Sequence, residues 1–129
     1  MPSDPEPGLG IYLASGTHNA AHAAFVLAAG AAALGRPVVI FATNAGCHAL
    51  RADLSGLADA GREARITARG VAGLAELRAA LAELGGRMIA CTAGLHAEGL
   101  AHAPLAAGTE LGGIVTFLAA TEGFQLVGL

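Results

Sequence analysis

The chain has 129 residues, of which 54% are hydrophobic and only 13% charged, with a mean hydropathy of +0.59 and a net charge of −3. That length fits one domain, and it is more apolar than an ordinary soluble domain, so the chain either crosses a membrane or hides much of its surface in an assembly. There is no Lys, and most of the seven Arg lie between Arg51 and Arg87 among acids, which excludes the basic footprint of a nucleic-acid binder.

In chain order, Met1 to Gly8 holds three prolines and two acids. It reads as a flexible tail and is too acidic for a secretory leader, leaving 9–129 as a single domain. Leu9 to Ala14 reads as the first strand, Ser15 to Asn19 as a polar turn, and Ala20 to Leu34 as an Ala-rich helix. Gly35 suits its end, with Pro37 as the stop. Leu9 to Gly35 carries no formal charge, long enough to span a bilayer. The polar turn divides it, however, and no basic cluster flanks either piece, so no membrane span is expected. The helix is apolar nearly all round, which predicts burial on more than one side.

Val38 to Ala42 is the clearest strand, with no polar alternation, as for a strand covered on both faces. Thr43 to His48 is the loop beyond it. Arg51 to Arg69 carries seven of the seventeen charges and reads as a short helix within an exposed excursion. Leu74, Leu77, Leu81 and Leu84 form one stripe of an amphipathic helix that ends at Gly85-Gly86. Arg87 to Cys91 is the next strand, and Ala93 to Leu100 a short helix broken by His102-Ala103-Pro104. A short strand lies within Leu105 to Leu111. Gly112 to Thr121 is helical, Gly123 caps it, and Phe124 to Leu129 is the last strand. Such alternation predicts a parallel sheet of about five strands with right-handed crossovers. The strand order is not encoded in any local pattern.

The polar residues of the apolar segments fall just after strands. His18 and Asn19 follow the first, Asn44, Cys47 and His48 the second, and Cys91, Thr92 and His96 the third. In a parallel sheet these loops share one edge, where α/β proteins keep their chemistry. Cys91 stands out because it closes a strand and opens a helix. The free N–H groups of a helix start favour a thiolate, the nucleophilic form. The competing reading is that a free Cys packs as a small hydrophobe. His18, Cys47, His48 and His96 are candidate supporting residues. His22, inside the first helix, and His102 read as structural.

His18 and His22 have helical i, i+4 spacing, but the Glu of a zinc-protease helix is absent and there is no CxxC, so no metal is expected. Neither Ser15-Gly16-Thr17 nor Gly112-Gly113 has phosphate-loop spacing, so no cofactor is expected. Two Cys do not make a disulfide framework, and a reduced, cytoplasmic setting follows.

The blocks Gly10-Ile11-Tyr12-Leu13, Val38-Val39-Ile40-Phe41, Gly85 to Cys91 and Gly108 to Leu118 occur in an order and spacing that resembles the DsrE/DsrF-like family of small sulfur-relay proteins. The resemblance implies a three-layer α/β/α subunit with flavodoxin-like layering. It also implies assembly into homo- or hetero-oligomers, often trimers or hexamers. In relay members of the family a Cys after a middle strand carries a persulfide, and Cys91 matches that position. His18, Cys47 and His48 match no pattern of the family.

Three functions follow as expectations. The first is a sulfur carrier or sulfurtransferase that takes sulfane sulfur from a donor protein onto Cys91 and passes it to an acceptor. The second is thiol redox chemistry between Cys47 and Cys91, which requires Cα atoms within about 7 Å. The third is a non-catalytic oligomeric binding or scaffold protein.

Overall fold

The structure, a computed structural model, describes residues 6–129. Most of the expected tail, residues 1–5, lies outside the described residues. Just beyond them the chain is tied down, since the Pro7 carbonyl accepts a 2.8 Å hydrogen bond from Arg36 Nε.

Five strands form one sheet, β1 (Leu9–Leu13), β2 (Val38–Ala42), β3 (Arg87–Cys91), β4 (Thr109–Gly112) and β5 (Gln125–Gly128). Their order is β4-β3-β2-β1-β5 and every pairing is parallel. The helices are α1 (His18–Ala33), α2 (Arg62–Ala68), α3 (Leu74–Glu83), α4 (Thr92–Ala97) and α5 (Ile114–Ala120), with 3₁₀ segments at Asn44–Leu50 and Leu54–Gly56. The architecture is the three-layer α/β/α expected.

Strand periodicity sorts the core into two layers. Val38, Ile40 and Ala42 of β2 join Met88 and Ala90 of β3 beneath α1 and α3, where Phe25, Ala28, Leu74 and Leu81 meet them. Val39, Phe41, Ile89 and Cys91 face the other way, against Phe117 of α5. The unbroken apolar run of β2 is therefore two alternating sets, each with its own cover. The second cover is thin. Helix α5 has seven residues and buries only Phe117.

Two segments differ from the sequence reading. Helix α1 begins at His18 rather than Ala20, because Thr17 Oγ1 accepts the Ala20 N–H at 3.1 Å and acts as the N-cap. His18 thereby enters the helix and becomes fully buried. Residues 51–69 hold the expected short helix and are mostly exposed, but they are anchored rather than loose. Leu57 and Ile66 are buried there, and the polar side chains of α2 reach across to α1 and α3.

Candidate functional site

Cys91 is the last residue of β3 and the N-cap of α4. Its Sγ accepts the Gly94 N–H at 3.3 Å, one of the donors that a helix start leaves free. Gly94 must be glycine. A Cβ there would run into the Asn44 backbone nitrogen and stand 2.9 Å from Thr43 Oγ1. Close seating of α4 on the β2 loop thus sets where the Gly94 N–H points. Beside Cys91, Thr92 Oγ1 donates to the Gly112 carbonyl at 3.4 Å. Cys91 packs with Ile89, Phe41 and Phe117 and remains 7% exposed. Phe41 and Phe117 stack above this layer with ring centroids 5.1 Å apart.

Cys47 comes to the same end of the sheet but belongs to the other layer, with Ala42, Ala49 and Leu50. Its thiol is fully buried and donates to the Ala42 carbonyl at 3.5 Å. Burial first, and the nearby Cys91 second, push its pKa from 9.0 up to about 11. Cys47 is therefore a protonated thiol at neutral pH. Both cysteines are free.

The imidazoles do not converge on either sulfur through any hydrogen bond. His18 Nε2 is 2.7 Å from Glu63 Oε1, and its Nδ1 is 3.1 Å from Arg62 Nη1. Arg62 can only donate, so Nδ1 accepts and the ring proton on Nε2 goes to Glu63. His22 stacks on His18 at 5.8 Å and bonds the Ala72 carbonyl. His48 is half-buried, with Nδ1 accepting from Arg51 Nη1 at 3.3 Å. His96 lies in the last turn of α4 and is exposed. Among the described residues, no group of three or more His, Cys, Asp or Glu side chains is placed to hold a metal.

Glu63, Arg62 and Arg78 emerge only from the structure. Glu63 accepts the N–H groups of Leu74 and Ala75 at 2.8 and 3.0 Å and so caps α3, whose own N-cap is Gly73. Burial pushes its carboxyl up. The Ala75 N–H, His18 and the Leu74 N–H together outweigh that and hold it below the ordinary range. The sequence signal for such a residue is a helix that starts without a capping side chain and so needs an acceptor from elsewhere.

The fold and this rim define a parallel α/β/α subunit with a thiol at the carboxyl end of its sheet. Residues 6–61 match the model of the DsrE/DsrF/DrsH-like family. Among solved structures, the crystal structure of the ychN protein from E. coli matches with a TM-score of 0.67 and 14% identity, over 96% of this chain and 100% of that one. That likeness is one of fold. No curated protein matches. Over residues 6–61 the chain is similar to the DsrE-like family, and its fold is that of the ychN protein. The matched segment ends before β3 and does not include Cys91. No helix among the described residues is long and apolar enough to cross a membrane.

Proposed function

We propose that this protein is a sulfur carrier of the reducing cytoplasm, holding sulfane sulfur as a persulfide on Cys91. The observation that carries the reading is the Gly94 N–H aimed at Cys91 Sγ at a strand end. Such a donor steadies negative charge on sulfur. In the loading step the Cys91 thiolate attacks the outer sulfur of a donor persulfide, R–S–SH. The new bond is Cys91 S–S, the bond broken is the donor's S–S, and the donor leaves as R–S⁻. In the unloading step an acceptor thiolate attacks the outer sulfur of Cys91–S–SH. Cys91 leaves as thiolate and the acceptor becomes the persulfide. Each step is an exchange at sulfur, so neither an outside oxidant nor a second cysteine of this chain is needed.

A redox pair of Cys47 and Cys91 fits less well. Cys47 lies close to Cys91, but burial holds it as a protonated thiol, the form that does not attack sulfur. With only 7% of its surface open, Cys91 suits a delivered sulfur better than a bulky free substrate. We also propose that the chain works as a homo-oligomer, since the α5 side of the sheet exposes Ile114, Val115, Leu118 and Leu126. A chase tests the relay. Protein loaded with labelled sulfane sulfur is mixed with an acceptor thiol protein. Label should move to the acceptor from the wild type and from Cys47→Ser, and not from Cys91→Ser. Equal delivery by Cys91→Ser would refute the relay.

A further inference from the structure

Beneath α3, on the layer of the sheet opposite Cys91, lies a cleft of about 400 Å³. Its size is that of a small-molecule site. Ala75, Ala79 and Ala82 line it from one face of α3, and Met88 of β3 and Leu105 line it from the sheet and the loop before β4. Their small side chains leave the space open.

Arg78 is the one charged residue of the lining. Its Nη1 donates to the carbonyls of Ala49 and Arg51 at 2.9 and 2.8 Å, which fixes the guanidinium in place. Among the described residues, Nε and Nη2 have no hydrogen-bond partner and Arg78 has no ion pair of its own. Glu63, the acid that acts on it, is already engaged by His18 and the start of α3. These free nitrogens are not among the buried unpartnered atoms, so they stay open to solvent and to an incoming acceptor. A second polar group nearby is also unmatched. Thr109 is the register partner of Met88, and its Oγ1 is buried with no hydrogen-bond partner.

We propose that this cleft binds a small monocarboxylate with an apolar tail. The carboxylate meets the free Nε–Nη2 edge of Arg78 in the paired geometry that guanidinium favours, and the tail lies along the alanine row over Met88. The site is independent of the sulfur chemistry at Cys91 and stands or falls without it.

Octanoate is the probe, with octylamine and octanol as charge controls, read by the methyl resonances of Ala and Met in the full chain. Octanoate should give saturable shifts at Ala75, Ala79, Ala82 and Met88, and octylamine none there. Arg78→Gln should weaken octanoate at least about tenfold, the value of a charge-assisted hydrogen bond. Because Arg78 also holds two carbonyls, a second variant guards against simple unfolding. Ala79→Leu fills the cleft from an exposed helix position and should abolish the shifts while the remaining spectrum stays folded. The proposal is overturned by an absence of saturable shifts, by equal binding of octylamine, or by wild-type binding in folded Ala79→Leu.

Discussion

Glu63 shows how much one side chain decides here. Its two oxygens receive His18 and the first two free N–H groups of α3, so it joins α1, α2 and α3. Glu63→Gln should cost about 1–2 kcal/mol, as expected for loss of a charged helix cap. The folded carboxyl titrates below its ordinary 4.5, so its stabilisation is complete above that value and lost as pH falls through the lowered folded value. Urea unfolding should therefore separate wild type from Glu63→Gln near neutral pH, with the gap closing in acid. A constant gap at all pH would contradict the assignment. Cys47 works in the opposite direction. Its thiol is raised from 9.0 to about 11, so its contribution is full below 9.0 and disappears as pH rises through 11. Near neutral pH, an alkylating probe should label Cys91 and leave Cys47 intact in the folded protein. Faster labelling of Cys47 would reverse the roles proposed for the two sulfurs.

At the scale of elements, the close approach of α4 to the β2 loop is the feature on which the site depends. Gly94→Ala should lift α4 from Thr43 and Asn44 and move the N–H that faces Cys91. Sulfur loading should then fall by about tenfold or more, in line with loss of a hydrogen bond to a charged group. The thermal midpoint should drop as well, by about what 1–3 kcal/mol of overpacking gives in a domain of this size. Unchanged loading would contradict the role given to that N–H. The elements themselves were largely legible. The β-branched run of β2 and the Leu stripe of α3 are strong local signals, and both appear where expected. The rim position of Cys91 followed from strand–helix alternation alone. The placing of His18 did not, because its partners lie 44 and 45 residues away. Nor did the anchoring of residues 51–69, which read correctly as a short helix in an exposed stretch. Two of its charges, Arg62 and Glu63, are spent on α1 and α3, a fact of long-range packing that no local pattern carries.

At the scale of the molecule, the two sides of the sheet are unequal. Helices α1 and α3 bury most of the core on one side, while the other has the short α5 and exposes Val115 at 76% and Leu126 at 54%. The low charge and high hydropathy of the chain fit this unbalanced cover. Sedimentation at micromolar concentration should show an oligomer, and Val115→Glu should shift it towards monomer by setting a charge in an apolar interface. A monomeric wild type would contradict this reading.

In the proposed relay a single sulfur, that of Cys91, bears the cargo, and peptide mass spectrometry after incubation with a persulfide donor decides it. A one-sulfur adduct is expected on the Cys91 peptide, retained in Cys47→Ser and lost in Cys91→Ser. An adduct on Cys47 alone, or none on either thiol, would contradict it.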